Sequence, residues 1–167
     1  VLLMELICGA DGDVAPRLGD ILLSPETALA HHATLMDYVV KMLCAGLVHG
    51  DLSEFNVLVD AQGPVIIDLP QAVDAAGNNH AQSMLHRDVN NLRQYYGQFA
   101  PELLQSAYAD EIWALYETGE LAPGIKLTGI FEKPVEAADV DAVLVEISAA
   151  AAEEAARLER MQAADKE

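Results

Sequence analysis

Leu47–Gln71 reads LVHGDLSEFNVLVDAQGPVIIDLPQ, short apolar runs parted by polar breaks that each carry an acidic or amide side chain. Val57-Leu58-Val59 and Val65-Ile66-Ile67 are short, β-branched and bounded by turn residues, which favours strands over helices. Between them Asp60-Ala61-Gln62-Gly63 supplies a hairpin turn, with Gly63 free to take positive φ. Such a hairpin sets Asn56, at the start of one strand, beside Asp68, at the end of the other. Asp51 lies in the loop that feeds the first strand. Two carboxylates and a carboxamide thus gather on one rim, with oxygens suited to a hard cation and to a hydroxyl proton.

These residues also carry a family resemblance. His49-Gly50-Asp51-Leu52-Ser53-Glu54-Phe55-Asn56 resembles the catalytic loop of the protein-kinase-like superfamily, Asp-x4-Asn, and Ile67-Asp68 resembles its metal-binding aspartate. The wording HGDLSEFN followed by IIDLPQAV is close to the RIO family of atypical protein kinases. Ordinary protein kinases have Arg at position 50, Lys at position 53 and Phe-Gly after the metal aspartate. Here stand Gly50, Ser53 and Leu69-Pro70, departures that are themselves RIO-like. The resemblance spans Val1 to Phe131. It implies an α+β fold, the protein-kinase-like C-terminal lobe, mainly helical with a small β-hairpin that carries the catalytic and metal-binding loops.

The same resemblance implies an ATP-dependent serine protein kinase or ATPase that autophosphorylates and uses Mg²⁺, with Mn²⁺ as a substitute. Asp51 would be the catalytic group, taking or orienting the proton of the attacking hydroxyl or water. Asn56 and Asp68 would ligate metal. His49 would pack and hydrogen-bond behind the loop. Ser53 stands where related kinases place a lysine that steadies the γ-phosphate. Asp88, near the apolar side of its helix, would brace the catalytic loop through backbone N–H groups; an exposed Asp beside Arg87 is the other reading. RIO proteins act on protein substrates and in small-ribosomal-subunit assembly, so a ribosomal link is implied by family alone. A neighbouring alternative is a small-molecule phosphotransferase of the aminoglycoside-kinase type, whose loop also reads His-Gly-Asp with Asn five residues on. Ser53-Glu54-Phe55 and Leu69-Pro70-Gln71 favour RIO over it. A nucleotide-binding scaffold without catalysis is the third reading.

Upstream, Val1-Leu2-Leu3-Met4-Glu5-Leu6-Ile7 reads as a buried strand running into Cys8-Gly9. By resemblance residues 1–9 form the hinge to a second lobe, with Met4 as gatekeeper and the Glu5 C=O and Ile7 N–H facing the adenine edge; an ordinary core strand is the plainer reading. A glycine-rich loop and a strand lysine are the parts expected upstream of Val1, in an N-lobe absent from the chain. The segment alone is therefore expected to fold but not to catalyse.

Ser24-Pro25-Glu26 is a helix start, with Ser24 as N-cap and Pro25 in the first turn. Leu29, Leu35, Met36, Val39, Val40 and Leu43 follow at helical spacing, and Gly46 ends the helix. His31 and His32 are adjacent, share no ligand at helical spacing, and read as surface or boundary residues. Asp74–Asn79 is a polar turn, with no long activation segment ending in Ala-Pro-Glu. A second helix runs from His80 to Tyr96 and a third from Pro101 to Tyr116, closed by Gly119. Trp113 and the tyrosines read as core, since no basic residues interleave with them. Glu120–Val135 is a connector that completes a domain spanning 10–135. Within 136–167, Asp139–Gln162 is an Ala-rich helix with Val143, Leu144 and Ile147 as its docking patch.

Composition sets the outer limits. The 167 residues include 27 Asp and Glu against 9 Lys and Arg, a formal charge of −18. Such a surface repels phosphate backbones and argues against direct nucleic-acid binding. A solvated acidic face and a salt-adapted source both account for it. Mean hydropathy of +0.18 fits a globular chain, and no apolar run reaches membrane-span length. Cys8 and Cys44 sit in apolar contexts and read as buried reduced thiols, with a cytoplasmic location as the expectation.

Overall fold

A computed structural model of the chain describes residues 6–9 and 11–132. The chain divides into two units, Val1–Phe131 and Glu132–Glu167, and the first holds every element described below. Met4, Glu5 and the expected helix Asp139–Gln162 lie outside the described residues.

The architecture is α+β. Helix α1 (Pro25–Cys44) is followed by β1 (Leu47–Val48), the antiparallel hairpin β2 (Val57–Asp60) and β3 (Gly63–Ile66), and β4 (Val73–Asp74). Helices α2 (Ala81–Gly97) and α3 (Tyr108–Glu117) complete it, with short 3-10 turns at Leu18–Asp20, Leu69–Gln71 and Pro101–Gln105.

Helix α1 starts as its sequence dictates. The Ser24 hydroxyl accepts from Thr27 N–H at 3.2 Å, and Gly46 leaves the helix at φ +80°. Its buried face runs through Ala28, His32, Leu35, Met36, Val39, Val40 and Leu43, turned slightly from the expected stripe, so that Leu29 is exposed. His32 is consequently not a surface or boundary residue. Only 1% exposed, it meets the Tyr96 ring edge-on at 5.8 Å and the tilted Tyr108 ring at 5.2 Å. Burial among these rings pushes its pKa from the ordinary 6.5 down to about 4.

The expected hairpin forms, with Val57 opposite Ile66 and Leu58 opposite Val65, so that Asn56 pairs with Ile67 and Asp68 falls one residue beyond it. Its turn is closed by the Asp60 carboxylate, which accepts from Gln62 N–H at 2.7 Å and Gly63 N–H at 2.9 Å, with Gly63 at φ +133°. A second ribbon was not legible beforehand. β1 and β4 pair through Leu47–Asp74 and Val48–Val73, so the polar turn begins one residue inside a strand. That pairing ties together the two ends of the segment that carries the rim.

The expected single helix Pro101–Tyr116 is split. Pro101–Gln105 is a 3-10 turn, Ser106 is extended, and α3 begins at Tyr108. Tertiary bonds decide this: Arg93 Nη1 donates to the Ser106 carbonyl at 3.0 Å and Ala107 N–H donates to the Gly129 carbonyl at 2.7 Å. Leu103 is then buried and Leu104 exposed. Trp113 is core, its indole N–H donating to Glu117 at 2.8 Å. Cys8 and Cys44 are free, but Cys8 is half-buried and Cys44 exposed, at the end of α1 where its thiol donates to the Leu121 carbonyl, so neither is the buried thiol expected.

The connector after α3 is fastened by Glu111, whose carboxylate accepts from Thr128 N–H at 2.8 Å and Gly129 N–H at 2.7 Å. Gly129 sits at φ +70°, and a Cβ there would lie 2.8 Å from the Tyr108 ring. Gly129→Ala should therefore cost about 2–4 kcal/mol, the sum of left-handed strain and a displaced ring that packs on His32. Gly124 is the control, at φ +82° with open space around it. Urea unfolding of both variants checks this; equal losses would mean that Tyr108 moves aside freely.

Candidate active site

Between β1 and β2 the chain passes through His49–Asn56, and α2 holds this loop from beneath. Gly50 N–H donates to Asp88 Oδ2 at 2.7 Å and Leu52 N–H to Asp88 Oδ1 at 3.0 Å. Arg87 Nη2 donates to the Gly50 carbonyl, and Asn91 Nδ2 to the Leu52 carbonyl at 3.1 Å. Asp88 is 2% exposed. Burial raises its pKa, opposed by the Leu52 and Gly50 amides and by the nearby His49 and Arg87. A carboxylate so placed needs its two amide partners, because burying it unpaired costs several kcal/mol.

Asp51, between the two gripped residues, is exposed. The Asn56 amide donates to the Asp51 carbonyl at 2.8 Å and lies 3.4 Å from Asp51 Oδ2, so its carboxamide oxygen is turned away from Asp51. Ile67 N–H donates to the Asn56 carbonyl at 3.0 Å, which places Asp68 one residue beyond Asn56's partner across the hairpin. Asp68 adopts φ +67° and ψ +40°, the one positive φ among the described non-glycine residues. One of its oxygens accepts from Gln71 Nε2 at 3.2 Å. His49 is buried, and its Nε2–H donates to the Ile67 carbonyl at 2.9 Å, tying the Asp51 loop to the segment before Asp68. The Ser53 carbonyl accepts from Asn56 N–H at 3.0 Å and closes the loop's last turn.

Asn56 thus touches Asp51, and Asp68 follows Ile67, the backbone partner of Asn56; His49, Ser53 and Asp88 make the bonds that hold this loop. Of the hinge residues only Ile7 is described, and its carbonyl accepts from Ala15 N–H at 2.9 Å. Among the described residues no three His, Cys, Asp or Glu side chains converge into a ready-made cage. The Asp68 carboxylate and the Asn56 carboxamide oxygen instead are the donor types that suit a cation completing its shell with water or phosphate, as Mg²⁺ does. Sequence reasoning missed Arg87, Asn91 and Gln71. For the first two a signal was available, since positions 87, 88 and 91 share one face of a helix. A groove of about 200 Å³ between α1 and the connector, around Met36, Val40, Tyr108 and Ile125, contains none of these residues.

Residues 1–109 match the RIO domain. The chain is 39% identical over 97 residues to the RIO-type serine/threonine-protein kinase Rio1 of Haloferax volcanii, covering 58% of this chain and 32% of that protein. It is 37% identical over 97 residues to the human serine/threonine-protein kinase RIO1, covering 58% of this chain and 17% of that one. Against the serine/threonine-protein kinase rio2 of Schizosaccharomyces pombe it is 43% identical over 68 residues, 40% of this chain and 20% of the relative. The chain spans a third or less of the length of these relatives. The domain match runs over more than half of the chain, through the loop, the hairpin and the gripping helix, and this chain belongs to the RIO family.

Proposed function

We propose that the chain is the C-terminal lobe of an ATP- and Mg²⁺-dependent RIO-type serine/threonine kinase or ATPase, which transfers the γ-phosphate to a protein hydroxyl, its own included, or to water. The observation that carries this reading is Asp51, an exposed carboxylate on a backbone gripped from both sides, with Asn56 bonded to it and Asp68 one residue beyond the backbone partner of Asn56. Phosphoryl transfer asks a protein mainly for positioning and charge neutralisation. Asp51 accepts or orients the hydroxyl proton; Asn56 and Asp68 offer the metal its oxygens. When bound, Mg²⁺ supplies positive charge to the triphosphate. Ile7 N–H, with Met4 and Glu5, would face the adenine.

Asp68→Asn in the full-length protein separates ligation from folding, because Asn also tolerates the left-handed conformation. It should weaken Mg·ATP binding by about 10-fold or more, the loss of one charged ligand, and leave metal-free adenosine binding within about twofold. Titration calorimetry with both ligands checks it. Equal losses for both, or retention of both, would remove the metal role from Asp68 and with it the kinase reading.

A further inference from the structure

We infer that Arg87 and Asn91 are positioning residues for Asp51, fixing its carboxylate by clamping the carbonyls of the residues on either side of it. The inference rests on the proposed role of Asp51. Four successive peptide planes run from His49 to Ser53, and each carries one hydrogen bond to α2: Gly50 N–H to Asp88, Gly50 C=O from Arg87, Leu52 N–H to Asp88, Leu52 C=O from Asn91. The planes on the two sides of the Asp51 Cα are therefore both pinned, one through Arg87 and one through Asp88. Asp88 alone reaches the planes that end in the Gly50 and Leu52 N–H groups and leaves the Gly50–Asp51 and Leu52–Ser53 planes unheld from α2. Arg87 and Asn91 hold those two.

The Asp51 side chain needs this. Its one side-chain hydrogen bond among the described residues, from Asn56 Nδ2, is long at 3.4 Å, and the carboxylate is exposed. Its direction is set by its backbone, and a misplacement of about 1 Å costs on the order of 10²-fold in rate. Ordinary protein kinases carry an arginine at position 50. Here that position is Gly50 at φ +82°, with the Met84 side chain 3.4 Å from where a Cβ would stand, and a guanidinium reaches the same peptide from the helix instead. Arg87 is exposed over much of its surface, so its contribution to folding is small and its contribution to loop geometry can be read separately.

The test uses Arg87→Gln, Asn91→Ala and the conservative Arg87→Lys, each in the full-length protein. Amide exchange at Leu52 should quicken about 10-fold in the first two, with thermal midpoints little changed. In Mg·ATP turnover kcat should fall about 10- to 100-fold while KM for ATP stays within about twofold, and Arg87→Lys should recover part of the loss. Unchanged exchange at Leu52 overturns the clamp whatever the activity. Quickened exchange with unchanged kcat overturns the positioning role, as does a kcat loss matched by an equal rise in KM. Quickened exchange in a protein whose wild type transfers no phosphate overturns the kinase reading of the site and leaves the clamp standing.

Discussion

Asp51→Asn in the full-length protein is expected to lower phosphoryl transfer by about 10²–10⁴-fold, the usual contribution of a positioned proton acceptor, with Mg·ATP affinity within about twofold of wild type. The exchange is nearly isosteric. The four bonds from α2 to the loop run through the backbone of Gly50 and Leu52, so the substitution leaves the grip of α2 intact. The Asn56 amide keeps its 2.8 Å bond to the residue-51 carbonyl. What is lost is the basic oxygen. Single-turnover kinetics beside nucleotide titration resolves the two quantities; turnover close to wild type would assign the proton to another group.

The second large effect is acid sensitivity of the fold, centred on His32. Its folded pKa of about 4 lies below the ordinary 6.5 of the unfolded chain. Between those values the unfolded state binds the extra proton, so stability falls as pH drops from 6.5 towards 4 and levels off below. The loss at pH 4 is about 3 kcal/mol from this group. His31, also lowered by burial, acts in the same direction. Asp88 acts in the opposite one: its raised pKa means that the folded state holds a proton more readily, and acid relieves rather than deepens its burial cost. Urea midpoints at pH 7, 6, 5 and 4.5 for wild type and His32→Phe, which keeps a ring against Tyr96 and Tyr108, measure the difference. An equally steep pH slope in the variant would place the acid sensitivity elsewhere.

Much of this was legible because local chemistry wrote it. The hairpin around Asp60–Gly63, the Ser24 cap and the Gly46 stop depend on neighbours in sequence, and each stands where the pattern puts it. That Asp68 follows the backbone partner of Asn56 comes from the hairpin register alone. The misreadings share another origin. Ser106 leaves helical geometry because Arg93 and Gly129 bid for its neighbourhood from 13 and 22 or more residues away, bonds that no propensity encodes. His32 reads as a surface or boundary residue because it neighbours His31 and lacks a ligand at helical spacing, whereas two tyrosine rings from α2 and α3 pack on it. Arg87 and Asn91 were passed over because their partners are carbonyls, which no motif displays.

The left-handed turn at Asp68 has a consequence for how this position can change over generations. A residue there must tolerate φ +67° and, on the proposed reading, present a carboxylate. Glycine meets the first demand best and fails the second; glutamate offers the charge but lacks the short side chain that eases αL geometry; asparagine folds well and forfeits the charge. Aspartate is the compromise, holding roughly a kcal/mol of backbone strain that glycine would release. Selection for abundance and selection for activity consequently pull position 68 in opposite directions, towards glycine and towards aspartate.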